Sequence, residues 1–264
     1  MATAPSGRPS VLDRMRLDGR VALVTGASRG LGRSLAVALA EAGADVVAAD
    51  VVGVDQVRGE VEGLGRRSHP VSVDLSGLSA ARAGELVRGC VEAMGRLDIL
   101  VNNAGIIRRA PALEYGEEDW RAVLDLNLTT AFLLSQAAAR HFVRAGRGGR
   151  VVNVASVNSF QGGVEVPAYA AAKHGLAGLT RALANEWAPA GVCVNAIAPG
   201  YMTTELTAAH REDPARAEAM LRRIPAGRWG KPEDLAGAAV FLASDAAAYV
   251  YGAIVAVDGG WLAR

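Results

Sequence analysis

Lysine and cysteine are almost missing from this sequence. Its 28 basic residues include only two lysines, Lys173 and Lys231, and its two cysteines, Cys90 and Cys193, stand far apart in apolar-flanked segments. Two thiols so placed offer neither a disulfide framework nor metal-ligand spacing. They read as buried free thiols in a reducing compartment, so a cytoplasmic setting without a metal site is expected. Neither sign of charge is in excess, the formal net charge being +1, so no global field draws the chain to nucleic acid or to a membrane surface. Long hydrophobic runs are missing too. Ala-rich stretches are broken by charges or glycines too often to span a bilayer. Residues 1–16 mix Pro, Ser, Gly and Arg without an apolar stretch long enough for a signal peptide, and they read as a loose N-terminal arm.

What is present is alternation. Apolar residues make up 51% of 264 positions, enough for one sizeable core and short of two comfortable domains. Short β-branched runs at Val21–Thr25, Asp45–Asp50, Ser68–Val73, Ile99–Val101, Val151–Ala155, Val192–Ala196 and Ala253–Val257 are strand candidates. Most are near-continuously apolar, as parallel strands buried on both faces are. Segments of helical period lie between them, at about 31–42, 54–64, 77–94, 118–145, 168–188 and 232–243. The pattern predicts a single α/β domain over 17–264, a doubly wound parallel sheet of seven strands with right-handed crossovers. Only 200–228 departs from it, a long segment without a strand that reads as a lid or a disordered loop.

The first strand candidate runs into Thr25-Gly26-Ala27-Ser28-Arg29-Gly30-Leu31-Gly32 and then into a helix. Glycines there permit a tight turn and let backbone approach a pyrophosphate at the helix N-terminus. A glycine cluster alone says little; its place between first strand and first helix makes it a dinucleotide signal. Asp50, ending the second strand, is placed to accept hydrogen bonds from adenosine ribose hydroxyls and to repel a 2′-phosphate. NAD is therefore expected over NADP, although Arg29 is a cation that could greet such a phosphate. Asp74-Leu75 can cap the adenine edge, and Asn103-Ala104-Gly105, after Asn102, is a polar turn beside the cofactor path. Ordinary turn chemistry would explain Asp50, Asp74 and the Asn-Gly turn as well.

Tyr169 and Lys173 stand four residues apart near a helix start, hence on one face. A free phenol, with a pKa of about 10, is a poor base at neutral pH. An adjacent ammonium would lower that value, as proton exchange at an alcohol oxygen requires. A surface pair without a role has the same spacing. The near-absence of lysine favours the functional reading, because a compact ammonium has been kept where a planar guanidinium fits poorly. Ser156, thirteen residues upstream and just beyond a strand, could orient a substrate carbonyl and stabilise developing negative charge. Asn127, among apolar neighbours in a helix, could hold a proton-relaying water or be simply a satisfied polar residue.

Together Thr25-Gly26-x-x-x-Gly30-x-Gly32, Asn102-Asn103-Ala104-Gly105, Asn127, Ser156, Tyr169-x-x-x-Lys173 and Pro199-Gly200 resemble the short-chain dehydrogenase/reductase family in order and spacing over 17–262. The resemblance implies a Rossmann fold of strand order 3-2-1-4-5-6-7 and an Asn127–Ser156–Tyr169–Lys173 tetrad. It also implies cofactor contacts from Pro199, Gly200 and Thr203, a substrate lid over 203–225, and a homotetramer joined through helices 118–145 and 168–188. Further stretches, such as Ile106-Ile107-Arg108-Arg109, Ser159-Phe160-Gln161-Gly162-Gly163 and Gly259-Gly260-Trp261-Leu262-Ala263-Arg264, resemble those family members that act on deoxy-gluconates. A small sugar acid is then the expected substrate, with Ser156 at the reacting carbonyl, and with Arg108 on its carboxylate and Gln161 at its hydroxyls unless these two are simply solvated or structural polar groups. Two other readings share the fold. One is an NADPH-dependent 3-oxoacyl-carrier-protein reductase, with Arg216, Arg222 and Arg223 as a docking patch. The other is a non-catalytic nucleotide-sensing scaffold, which has no need for Tyr169 and Lys173 together.

Overall fold

The computed structural model describes residues 9–207 and 214–264, without the side chains of Leu206, Pro214 and Arg216. Seven parallel strands form one sheet: β1 Val21–Thr25, β2 Asp45–Asp50, β3 Ser68–Ser72, β4 Ile99–Asn102, β5 Gly149–Val154, β6 Val192–Pro199 and β7 Ile254–Val257, in the order β3-β2-β1-β4-β5-β6-β7. The helices are α1 Val11–Met15, α2 Gly30–Glu41, α3 Asp55–Gly63, α4 Ala80–Met94, α5 Glu117–Leu124, α6 Thr130–Ala145, α7 Pro167–Trp187, α8 Pro214–Arg223 and α9 Ala236–Ala243.

The alternating geometry of a strand divides the core in two. Ala22 and Val24 of β1, with Val46 and Ala48 of β2, face a layer holding Leu35, Leu39, Val57 and Leu242. Val21 and Leu23, with Val47 and Ala49, face the opposite layer of Val87, Leu134, Phe142 and Leu183. Both faces are covered, which is why the central strands carry apolar residues without interruption. The edge strand β3 reads Ser-His-Pro-Val-Ser and is half-buried. Pro70 fits there because β3 pairs only with β2, so its missing N–H breaks no central ladder.

Five differences from the sequence expectation have physical causes. The expected loose arm is helical from Val11 to Met15: Ser10 and Asp13 cap each other's backbone N–H groups, and Arg14 Nη2 donates to the Asp245 carbonyl at 3.0 Å. Residues 1–8 of that arm lie outside the described residues. The single helix expected over 118–145 is interrupted by a wide π turn at Asp125–Thr129 that holds Asn127. Strand β6 runs three residues past its expected end and carries the chain to Pro199. The 200–228 segment contains α8, while 208–213 of the expected lid lie outside the described residues. One stretch, Glu117–Ala145, is apolar and long enough to cross a bilayer by composition, contrary to expectation, but its apolar positions Leu134, Ala138 and Phe142 are buried against the sheet.

Beneath the carboxyl ends of the strands lies a buried polar network. Asn102 Nδ2 donates to Asn153 Oδ1 and Ser135 Oγ, both at 2.9 Å, and Asn153 Nδ2 donates to Thr180 Oγ1 at 2.9 Å. It ties β4 and β5 to α6 and α7. The same packing leaves no space at Gly149, where an added Cβ would stand 2.1 Å from the fully buried Phe142 ring. Gly149→Ala is therefore expected to lower stability by about 1–3 kcal/mol through overpacking; urea denaturation measures it, and an unchanged midpoint would refute the steric argument.

Candidate active site

The glycine turn is built by close approach. Gly26 has φ 64°, in the left-handed region, and a Cβ on Gly32 would come 2.0 Å from the Gly26 carbonyl oxygen. Asn103 staples the turn: its Nδ2 donates to the carbonyls of Thr25 at 2.9 Å and Gly26 at 3.0 Å. Thr25 Oγ1 returns the favour by accepting from the N–H groups of Asn103 at 3.0 Å and Ala104 at 3.1 Å. Asn102, one residue earlier, points the other way into the polar network, as strand alternation requires. Helix α2 starts at Gly30 with no side-chain cap on its first N–H groups, leaving donors for an anion. Asp50 closes the far side, with Oδ2 accepting from Ser28 N at 2.9 Å and Oδ1 from Val51 N at 2.7 Å.

A cleft of about 430 Å³ opens above these strand ends. Gly26, Arg29, Gly30, Leu31, Gly32 and Asp50 border it from the first βαβ unit, and Asp74, Leu75, Asn103, Ala104 and Gly105 from the next two strands. Asn127, Ser156, Tyr169, Lys173, Pro199 and Gly200 line the remainder. Four expected residues do not border it. Ser28 sits behind the turn with its Oγ buried and unpartnered. Thr203 is turned away, both its N–H and its hydroxyl donating to the Gly230 carbonyl at 2.8 and 3.2 Å. Arg108 pairs with Asp119 at 3.4 Å, and Gln161 lies outside the lining. In their place stand Met202, Thr204, Glu205 and Thr207, as well as Val51 and Ile106. No motif marks these positions. Met202 and Thr204 follow from Thr203 only once its direction is known.

Tyr169 lies in the first turn of α7, which Pro167 opens. Lys173, one turn on, is 4% exposed. Its Nζ donates to the Val154 carbonyl at 2.7 Å and stands 5.4 Å from the centre of the Tyr169 ring. Burial brings the Lys173 ammonium down from 10.5 to about 8. Burial also raises the Tyr169 phenol, opposed by its hydrogen bond with Ser156 and then by the positive charge of Arg109. The net direction is upward, contrary to the lowering expected from Lys173, whose charge is not among the causes. Ser156 begins the turn after β5, its Oγ accepting from Asn158 N at 3.1 Å. Asn127 is buried in the π turn. Its Nδ2 donates to the carbonyls of Ile106 and Val123, both at 2.9 Å, while Oδ1 has no partner and packs against Gly105.

These features fit a nucleotide: a glycine turn with no room for a Cβ at Gly26 or Gly32, uncapped N–H groups at the start of α2, and on the cleft wall a buried polar atom without a partner, Asn127 Oδ1. A tyrosine and a serine in hydrogen-bonding reach beside it can exchange a proton with a substrate oxygen. Among the described residues no group of His, Cys, Asp and Glu is arranged to hold a metal, and both cysteines are buried and unpaired.

Comparison with known proteins agrees with this geometry. A family model described as Enoyl-(Acyl carrier protein) reductase matches residues 26–262. The chain is 51% identical over 254 residues, 96% of its length and 100% of the relative's, to a 2-dehydro-3-deoxy-D-gluconate 5-dehydrogenase of Dickeya dadantii. Among solved structures, a candidate 2-deoxy-D-gluconate 3-dehydrogenase of Agrobacterium tumefaciens with bound NADP is 53% identical, with a TM-score of 0.88 over 95% of this chain and 99% of that one. A gluconate 5-dehydrogenase of Burkholderia cenocepacia in complex with NADP and tartrate is 39% identical, with a TM-score of 0.91 over 97% and 100%. The chain belongs to the short-chain dehydrogenase/reductase family. It is an NAD(P)-dependent oxidoreductase acting on CH–OH groups of a small-molecule substrate.

The displaced Lys173 value has a consequence for stability. Between pH 8 and 10.5 the unfolded chain holds a proton at Lys173 that the folded chain does not, so this residue makes stability rise with pH across that window. Lys173→Met is expected to remove that slope, gaining on the wild type below pH 8 and losing the advantage above it. Urea midpoints at a series of pH values test this, and an identical slope in the variant would refute it.

Proposed function

We propose that the protein interconverts a secondary alcohol and a ketone on a small sugar acid, 2-keto-3-deoxygluconate or a related gluconate, with NAD as its cofactor. The observation that carries the reaction type is the meeting of Ser156, Tyr169, Lys173 and Asn127 on the wall of the cleft whose floor is the glycine turn. When bound, the nicotinamide supplies hydride transfer at the reacting carbon. In this reading Gly26, Gly30 and the first N–H groups of α2 hold its pyrophosphate, Asp50 its ribose hydroxyls, and Pro199 and Gly200 its nicotinamide end. Tyr169 Oη gives or takes the proton at the substrate oxygen, and Ser156 Oγ hydrogen-bonds the same oxygen. Lys173, through its Nζ bond to the Val154 carbonyl, holds the register that brings Tyr169 to Ser156, and Asn127 Oδ1 holds a water that leads protons to solvent. Asp50 supports NAD, since a 2′-phosphate would meet its carboxylate; the NADP-bound neighbours lean the other way.

The sugar-acid reading draws on the relatives' substrates and on a cation whose field reaches the site. Burial raises the Tyr169 and Tyr201 phenols, and the Arg109 charge opposes this at Tyr169 after Ser156 and at Tyr201 after Arg223, whereas Arg108 is occupied by Asp119. A guanidinium there suits a carboxylate at the far end of a hydroxy acid. The tartrate of the Burkholderia structure is an acid of this kind. The acyl-carrier reading is less well supported, because Arg222 pairs with Glu218 at 2.6 Å and Arg223 lies 3.9 Å over the Trp261 ring, while the Arg216 side chain lies outside the described residues. A homotetramer through α5–α6 and α7 remains part of the proposal.

Two experiments bear on this. An assay of NADH change across gluconates, 2-keto-3-deoxygluconate and 3-oxoacyl thioesters tests the substrate class, and silence with every sugar acid would end it. In the same assay Tyr169→Phe is expected to lose about 10²–10⁴ in turnover while still binding NADH, whereas a scaffold would be indifferent to the change. Arg109→Ala should raise KM for the acid about tenfold or more, with kcat changed less, by losing a charged contact worth roughly 1.5–3 kcal/mol; Arg108→Ala should not. The reverse ranking would restore Arg108 as the acid-binding residue.

A further inference from the structure

One ion pair spans the rim of the cleft. Arg29, the last residue of the glycine turn, sets Nη1 2.7 Å from Oε2 of Glu205, in the one-turn helix Glu205–Thr207. Both side chains border the cleft, as Asp50 does. They are 70% and 74% exposed, so the pair adds little to stability and the fold does not depend on it. Its position carries the information. The Thr204 methyl lies 3.7 Å from where a Cβ on Gly30 would stand, so this segment runs over the N-terminus of α2, where a phosphate is held. Arg29 is the cation of that turn able to meet a 2′-phosphate, and Glu205 has already engaged it.

We propose that Glu205 is a specificity-determining residue for the nucleotide, holding the Arg29 guanidinium away from a 2′-phosphate. This rests on the cofactor reading above and extends it. A nucleotide with a free 2′-hydroxyl leaves the pair intact and meets only Asp50. One with a 2′-phosphate must take Arg29 from Glu205 and then stand between two carboxylates, Asp50 on β2 and Glu205 on the loop after β6. The two act from different elements on the same ligand group. Because the competition is between exposed charges, it weakens as salt is added.

The test is direct binding, without substrate. Wild type, Glu205→Gln, Arg29→Ala and the double variant are titrated with NADH and NADPH, following nucleotide fluorescence. Glu205→Gln is expected to tighten NADPH about tenfold, the scale of freeing one guanidinium to pair with a dianion in water, and NADH by less than about twofold. In the Arg29→Ala background the same substitution should tighten NADPH by about twofold at most, only screened repulsion being left. An unchanged NADPH-to-NADH ratio in Glu205→Gln overturns the proposal, and so does equal tightening in both backgrounds. A wild type that prefers NADPH overturns the Asp50 reading instead, and the ratio in Glu205→Gln still decides the role of Glu205.

Discussion

A buried ammonium sets the terms for the catalytic side of this cleft. Lys173 is almost wholly out of water, so its charge must be met by groups inside the protein. The acceptor it finds is the Val154 carbonyl, at the last residue of β5. Because Nζ hangs from α7 and the carbonyl from β5, that bond fixes helix against strand end. Ser159 adds a second tie, its Oγ donating to the Lys173 carbonyl at 2.7 Å. Ser156 lies between these two anchors, and Tyr169 stands one helical turn before Lys173. The contact between serine and phenol therefore depends on a register that the lysine holds, and proton transfer is intolerant of slippage on the ångström scale.

The cofactor side depends on a different constraint, the close approach of two loops. In the strand order β3-β2-β1-β4-β5-β6-β7, chain direction across the sheet reverses between β1 and β4, and a crevice opens above their carboxyl ends. Asn103 and Thr25 cross-bond the two loops there, so the glycine turn and the start of the β4 loop behave as one rigid rim. The Asn102–Asn153–Thr180 network lies directly below and carries the same rigidity across to α7. Nucleotide cradle and proton-transfer groups thus share one polar foundation.

Periodicity made the sheet legible. The bounds of β1 and β2 could be read to the residue, because both strands are apolar on two faces and end in turn chemistry at Gly26 and after Asp50. Direction was harder to read than position. Asn102 and Asn103 are identical letters with opposite orientations, and only the pleat separates the one in the core from the one on the turn. Arg108 and Arg109 pose the same problem on an irregular loop, where no period exists to assign sides. The π turn at Asn127 hides within an unbroken apolar helical pattern, and α1 is too short to show a period at all. Thr203 was placed by resemblance alone, and its bonds to Gly230 turn it from the cleft. Glu205 follows no motif, since its relation to Arg29 exists only once the loop after β6 folds back over α2.

Arginine and lysine divide this site by burial. Arg29 borders the cleft, and Arg108 and Arg109 are exposed beyond its lining, each a guanidinium able to grip planar anions. Lys173 sits below them, where desolvation brings an ammonium to about 8 and hence into the range of useful proton exchange; a guanidinium could not be tuned so far. Scarcity alone did not identify it, because the other lysine, Lys231, is exposed and stands at the start of the turn Pro232–Leu235. What separates the two is a phenol one helical turn away and a strand-end carbonyl to receive the charge. A composition that prefers arginine wherever any cation serves leaves lysine conspicuous, but it is the phenol of Tyr169, one helical turn away, that gives the lysine something to do.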